Sequence, residues 1–220
     1  MLSRRPLIVL ILLSCLLVAS TFAGAQVTLG KREPRLMSSY KWASLTEQQR
    51  DIYVKSFLET VSFILYSHSR KDNQQQAQVY SDWTACAERK PLSAWKPLEW
   101  MVEGKLERTV SAQLFDSAAA VCKDFVGKGD AKWRSVWLLK PADWKALSIH
   151  DRALYLMAYF ETVFFSAQRA KDAANERKLD ICVASAGIEG LISSMERTQV
   201  EWQFPMPWTV SRVLGATCKE

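Results

Sequence analysis

A repeat within the chain constrains its fold more than any other sequence feature. Residues 42–63 align with residues 144–165 at an offset of 102 positions, and eight of these 22 positions are identical. The identical pairs are Trp42/Trp144, Leu45/Leu147, Arg50/Arg152, Tyr53/Tyr155, Glu59/Glu161, Thr60/Thr162, Val61/Val163 and Phe63/Phe165. Self-similarity at a fixed offset indicates two copies of one structural unit, here called the first and the second copy.

The N-terminal residues have the three parts of a secretory signal peptide. Arg4 and Arg5 precede an apolar stretch, residues 7–18, and small residues at positions 23–25 supply a cleavage pattern. This order predicts removal of residues 1–25 and a periplasmic or secreted mature protein. The apolar stretch is shorter than the roughly 20 residues that cross a membrane, so it predicts no lasting membrane span.

The sequence after the signal peptide excludes two classes of protein, those that span a membrane and those that bind nucleic acid. No later stretch is apolar and long enough to span a membrane. Without Arg4 and Arg5, 27 basic residues face 23 acidic ones, and the signs are interspersed, so no nucleic-acid surface is expected. A lipid anchor at Cys15 is the less favoured alternative to cleavage, because apolar residues follow it where a polar tether is expected.

Four cysteines remain after cleavage: Cys86, Cys122, Cys182 and Cys218. An even number of cysteines in an exported chain favours disulfides, and four cysteines allow three pairings. The spacing within the first two and within the last two is the same, 36 positions. We therefore predict one disulfide in each copy, Cys86–Cys122 and Cys182–Cys218.

The pattern within each copy is helical, without the alternation typical of strands. Capping signatures begin at Thr46 and Ser148, and the residues after them, 52–66 and 153–166, are apolar around most of a helix. Such helices lie in the middle of a bundle. We predict an all-α fold of two tandem disulfide-closed units of about four helices each, related by a pseudo-twofold axis. Further helices are predicted at residues 73–89, 92–107, 110–125, 170–184 and 208–217; the units are residues 26–125 and 135–220, with a linker at 126–134.

Glu59 and Glu161 occupy matching positions on the two apolar helices, and Glu161 is the only charged residue between Arg152 and Arg169. A buried carboxylate must be paired or have its pKa raised, because an unpaired charge in an apolar interior is costly. One interpretation is a two-carboxylate site between the units, with Arg50 and Arg152 beside it, for acid–base chemistry or a cation. The other is structural: each glutamate accepts hydrogen bonds from a helix end or pairs with one of these arginines.

Nine tryptophans fall into two groups. Trp42 and Trp144 match in the repeat and are expected in the core. Unmatched aromatic residues, several of them beside prolines, could form a binding surface, since aromatic residues dominate interface hot spots. Alternatively they cover the core where a helix is interrupted. The candidate surface consists of Trp95, Trp100, Trp202, Phe204 and Trp208.

Residues 158–163 (Ala-Tyr-Phe-Glu-Thr-Val), followed by Cys182 and Cys218, resemble the Tai-type immunity family. These are small exported helical proteins that neutralise peptidoglycan amidases delivered by the type VI secretion system. The family has a Gly-Tyr-x-x-Gly-Val-like helix and then a disulfide closed by a cysteine near the C-terminus. Here Ala158 and Thr162 stand in place of the glycines, and the proline after the family's first cysteine is absent. The resemblance implies a helix–disulfide scaffold and an immunity role, and it identifies no functional residue.

The common catalytic templates lack their parts. The two histidines, His68 and His150, do not match in the repeat, and no His/Cys cluster has zinc spacing. We therefore expect no catalytic residue, metal site or cofactor. The leading hypothesis is a periplasmic, non-catalytic protein that binds a protein of the cell envelope, as an inhibitor or immunity-like factor. The alternative is a small-molecule or cation-binding protein, or an enzyme, that uses Glu59 and Glu161.

Overall fold

The computed structural model describes residues 39–69, 74–95, 109–129, 136, 138–197 and 205–218. These residues form eight α-helices and two short 3₁₀ helices, Leu92–Ala94 and Lys123–Phe125, and they contain no strand. The predicted all-α fold is confirmed. The helices are α1 (Ser39–Ser44), α2 (Glu47–Ser69), α3 (Gln74–Arg89), α4 (Val110–Val121), α5 (Pro141–Ala146), α6 (Ile149–Ala170), α7 (Ala173–Arg197) and α8 (Met206–Thr217).

The two long apolar helices begin at side-chain caps. At the start of α2, the Thr46 backbone N–H donates to Gln49 Oε1 at 3.0 Å, and the Gln49 N–H donates to Thr46 Oγ1 at 3.2 Å. At the start of α6, Ser148 Oγ accepts from the Asp151 N–H at 3.1 Å. Each cap satisfies an N–H that has no partner within its own helix, so both helices start where the sequence predicts.

Helices α2 and α6 make the most extensive helix–helix contact of the described residues. Small side chains, fully buried, line it: Ser56 and Thr60 on α2, Ala158 and Thr162 on α6. Ser56 Oγ donates to the backbone carbonyl of Tyr155 on the opposite helix at 2.7 Å. A short side chain reaches the other backbone only where the helices lie close, so these positions serve packing.

Two apolar clusters form the core of one compact unit, Arg35–Glu220. The first is centred on Phe57, Leu58 and other residues of the first copy, and the second on Tyr159 and other residues of the second copy. Each central helix also reaches into the other copy's cluster: Leu154 and Ala158 of α6 lie in the first cluster, and Ile52 of α2 lies in the second. Leu154 and Ile52 match in the repeat, so the clusters interlock at an equivalent position.

Disulfides join Cys86 to Cys122 and Cys182 to Cys218, with Cα atoms 5.5 Å apart in each. The predicted pairing is confirmed: each bond ties α3 or α7 to the residue that follows α4 or α8. Two disulfides indicate an oxidising, exported compartment. Within the described ranges, no helix has the length and apolar character needed to cross a membrane. The predicted signal peptide and Cys15 lie outside the described residues.

Helix boundaries differ from the prediction in both copies. Helix α7 continues to Arg197 instead of residue 184, and Gly187, at φ 66° and ψ 161°, interrupts it. A glycine adopts this positive φ without the steric cost of a side chain. Helix α8 begins at Met206, two residues before the predicted start, because a proline in the first helical turn removes no hydrogen bond. The predicted helix at 92–107 begins as the 3₁₀ helix, and its residues 96–107 are not described.

The start of the predicted linker is fixed against α3. The Asp82 carboxylate accepts hydrogen bonds from the backbone N–H of Gly127 at 2.6 Å and of Gly129 at 2.8 Å. Gly129 lies so close to α3 that a Cβ atom there would come within 2.2 Å of the Ser81 carbonyl carbon. The described part of the linker therefore needs a glycine at position 129.

Replacing Gly129 with alanine is expected to destabilise the protein by about 2 kcal/mol, because backbone has to move to make room for the methyl group. Gly190→Ala is the matched control. A Cβ at Gly190 in α7 meets nothing within 4 Å, and alanine favours a helix by up to about 1 kcal/mol. Urea unfolding of both variants with the disulfides intact measures the difference. Equal stability of the two variants would contradict the packing described here.

Candidate functional site

The contact between α2 and α6 buries both matched glutamates. Glu59 and Glu161 are each 2 % exposed, in a region lined mainly by apolar side chains. The opposite helix presents a tyrosine to each of them: Tyr155 to Glu59 and Tyr53 to Glu161. Both glutamates thus lie at the contact between α2 and α6, and each accepts a hydrogen bond from a tyrosine of the opposite helix.

Glu59 connects three parts of the chain. Its Oε1 atom accepts hydrogen bonds from the backbone N–H of Leu138 at 2.5 Å and of Leu139 at 2.8 Å, just before α5. Its Oε2 atom accepts from the Tyr155 hydroxyl at 2.5 Å. Burial raises the pKa of Glu59 from 4.5 to about 7, although these hydrogen bonds and the charge of Lys55 lower it in part. Helix α2 is thereby tied to α6 and to the segment that enters α5.

Glu161 belongs to a second polar group. The Tyr53 hydroxyl donates to Glu161 Oε2 and lies 2.9 Å from Ser111 Oγ of α4. Ser111 Oγ is in turn 3.2 Å from Thr162 Oγ1, whose hydroxyl donates to the Ala158 carbonyl at 2.7 Å. This group joins α2, α4 and α6. At the offset of 96 positions that relates Cys122 to Cys218, Ser111 corresponds to Pro207 in α8, so the hydroxyl of this group has no counterpart in the second copy.

The two tyrosine–glutamate hydrogen bonds are reciprocal. Helix α2 supplies the donor Tyr53 and the acceptor Glu59, and α6 supplies the matching donor Tyr155 and acceptor Glu161. An early residue of each helix meets a later residue of the other, so the helices run in opposite directions. Desolvation, followed by the charge of the glutamate, raises the pKa of both tyrosines well above 10.0. Both hydroxyls therefore keep their protons and act as donors at neutral pH.

Spacing separates the carboxylates into two positions. Tyr53 and Glu59 are six residues apart on α2, which is about 9 Å along a helix. The two tyrosine–glutamate bonds therefore lie about 9 Å apart along the interface. Each carboxylate binds its own tyrosine, whereas a carboxylate pair that shares a proton needs oxygens in direct contact.

The arginines predicted beside the glutamates bind elsewhere. Arg50 donates from Nε to the Trp42 carbonyl at 3.3 Å and from Nη2 to the Ala43 carbonyl at 2.9 Å. Arg152 makes the matching bonds, to the Trp144 carbonyl at 3.1 Å and the Lys145 carbonyl at 2.8 Å.

The guanidinium groups also lie over tryptophan rings, that of Arg50 at 5.9 Å from the Trp42 centroid and that of Arg152 at 5.7 Å from the Trp144 centroid. Arg152 forms an additional ion pair with Glu196. The predicted pairing of arginine with Glu59 or Glu161 is wrong: the arginines close the ends of α1 and α5 instead.

The described residues of the candidate aromatic surface, Trp95 and Trp208, do not form an exposed patch. Trp95 is 1 % exposed, with its ring centroid 5.5 Å from that of Trp83, so its assignment to an exposed surface is wrong. Trp208 of α8 is partly buried and packs edge-on against Phe63 and Tyr66 of α2, at 5.1 Å from each. Trp208 therefore packs at the contact between α8 and α2. Trp100, Trp202 and Phe204 lie outside the described residues.

The backbone donors to Glu59 could not be found from the sequence. Every residue except proline has an N–H, so nothing in the letters of Leu138 and Leu139 marks them as partners of a carboxylate. Tyr53 and Tyr155 did carry a signal, since they are identical in the repeat. Among the residues described, no three His, Cys, Asp or Glu side chains gather as metal ligands do.

Comparison with known proteins adds no relative. No protein-family model, no curated protein and no solved structure matches the chain.

The raised pKa of Glu59 predicts a pH dependence of stability. The folded protein binds the Glu59 proton more tightly than the unfolded chain does, with a pKa of about 7 against 4.5. The contribution of Glu59 to stability is therefore complete below pH 4.5 and is lost as the pH rises through about 7. Glutamine at this position does not titrate.

The unfolding free energy of the wild type minus that of Glu59→Gln is expected to fall by about 3 kcal/mol between about pH 4 and pH 8. Denaturant unfolding of both proteins across this range measures it, and groups common to both cancel in the difference. A difference that stays constant, or rises with pH, would show that burial does not dominate the pKa of Glu59.

Proposed function

We propose that the protein is an exported, non-catalytic module that binds another protein of the cell envelope, as an inhibitor or immunity-like factor. The observation that carries this proposal is the reciprocal tyrosine–glutamate bonding. The two carboxylates were the strongest candidates for chemistry, and each of them is instead hydrogen-bonded to a tyrosine of the opposite helix. A glutamate that joins two helices stabilises the fold. We therefore expect the function of the protein to lie on its surface.

The repeat supports the same proposal through its geometry. Tyrosine–glutamate bonds, arginine–carbonyl bonds and tryptophan–tyrosine packing occur at matching positions, with ring centroids 5.5 Å apart for Trp42–Tyr53 and 5.7 Å for Trp144–Tyr155. We infer that the two units are related by a pseudo-twofold axis through the α2–α6 contact. A disulfide in each unit adds stability outside the cell. Such a frame suits a protein that presents a fixed surface to a partner.

The resemblance to the Tai-type immunity family supports a periplasmic location and an inhibitory role. In each copy, a buried central helix comes before a disulfide whose second cysteine follows the last helix of the copy. This order is the one that the resemblance implies. The partner would then be an enzyme that attacks the cell envelope.

One observation favours the alternative, a small-molecule site or an enzyme at the glutamates. A pKa near 7 suits a general acid or base. The carboxyl groups are nevertheless 2 % exposed, and about 9 Å of helix separates their bonds. A substrate would have to displace a tyrosine hydroxyl to reach either of them, so the geometry supports this function less.

Affinity purification with the tagged mature protein tests the proposal. We expect a specific envelope protein to be enriched from periplasmic extract of the native host at low and moderate salt, by both the wild type and the double variant Glu59→Gln/Glu161→Gln. An unrelated exported protein with the same tag is the control. Enrichment of no protein under any salt condition would overturn the proposal. Binding by the wild type alone, with the variant fully folded, would favour the alternative.

A further inference from the structure

In the first copy, the chain after Cys122 lies along α3. Lys90, at the end of α3, forms an ion pair with Asp124 at 3.6 Å, and its ammonium group lies over the Phe125 ring at 5.6 Å. Further along, Asp82 accepts from the Gly127 and Gly129 N–H groups, and Gln78 Nε2 donates to the Gly129 carbonyl at 3.3 Å. Residues 123–129 thus follow one face of α3 from its C-terminal end back to its second turn.

The same face of α7 borders a groove in the second copy. Cys86 matches Cys182 at an offset of 96, and at this offset Val110–Val121 falls on Met206–Thr217, the bounds of α4 and α8. The α3 positions 82, 85, 86 and 89 then correspond to Lys178, Ile181, Cys182 and Ser185. All four line a groove of about 820 Å³ between α2, α6, α7 and α8. Of these four positions in the first copy, 82 contacts residues 123–129 and 86 is bonded to Cys122, which precedes them.

Two replacements change the chemistry of this face. Where the first copy has Asp82, which accepts from backbone N–H groups, the second copy has Lys178, an exposed donor. Where the first copy has Ala85, which is 8 % exposed, the second copy has Ile181, which is 52 % exposed. Apolar residues such as Leu179 and Leu214 line the groove beside them, and its described lining also includes the ionisable residues Asp172 and His68. The face thus exposes apolar area and a cation where the first copy has a small residue and an anion.

We propose that this groove binds an extended segment of the partner protein, with an acidic side chain on Lys178 and a neighbouring apolar side chain on Ile181. Residues 123–129, which lie along α3 in the first copy, are the precedent for an extended chain along the corresponding face of α7. The replacement of Asp82 by Lys178 sets the charge of the occupant, because opposite charges across an interface select the partner. The inference rests on the proposed function and adds to it the docking surface and the chemistry of the bound segment.

Photo-crosslinking with the full chain tests this surface. The crosslinking residue p-benzoyl-phenylalanine replaces Ile181 and, as a control, the exposed Lys145 of α5. Position 181 is expected to crosslink to a segment of another protein that has Asp or Glu next to an apolar residue, and position 145 is not. Lys178→Glu should lower the crosslink yield about tenfold, whereas Lys178→Arg should retain it. Thermal unfolding establishes that every variant is folded.

The outcomes separate this inference from the proposed function. If the wild type enriches a partner that does not crosslink from position 181, or whose yield is insensitive to Lys178→Glu, the groove is not the docking surface. A crosslink to a second copy of the chain, or to the chain's own residues, would overturn the inference in the same way. If the wild type enriches no partner at all, the proposed function fails, and the inference fails with it.

Discussion

The hydrogen bond from a buried tyrosine to a buried glutamate of the opposite helix is the interaction on which this structure depends. A carboxylate in an apolar interior without donors would be far less stable than in water. Each central helix carries one donor and one acceptor, Tyr53 and Glu59 on α2, Tyr155 and Glu161 on α6. Because the bonds are made in both directions, they fix how α2 is rotated and how far it slides along α6. The small residues between them then let the helices approach closely.

The repeat made much of the fold predictable. The repeat predicted the disulfide pairing, since the equal spacing of 36 positions allows each copy to close its own bond. The apolar circumference of α2 and α6 placed them in the centre of the bundle, as the structure confirms. The length of α7 was not predictable in the same way. Its polar sequence has weak periodicity, and Gly187 interrupts the helix without ending it.

For the candidate site, the sequence identified the positions and missed the partners. Identity in the repeat marked Glu59 and Glu161, and opposite charge suggested Arg50 and Arg152 beside them. Arginine also binds carbonyl groups at helix ends and stacks on aromatic rings, and charge alone does not distinguish these choices. The exposure of Trp95 likewise depends on packing between elements distant in sequence, which a single chain of letters does not reveal.

A double-mutant cycle between Tyr155 and Glu59 tests whether reciprocal tyrosine–glutamate bonds hold α2 against α6. Urea unfolding of the wild type, Tyr155→Phe, Glu59→Gln and the double variant gives the coupling free energy of the two side chains. We expect a stabilising coupling of about 1–2 kcal/mol, and a similar value for Tyr53→Phe with Glu161→Gln at the matching position. Additive effects in both cycles, with no coupling, would contradict the conclusion that reciprocal tyrosine–glutamate bonds hold the two copies together.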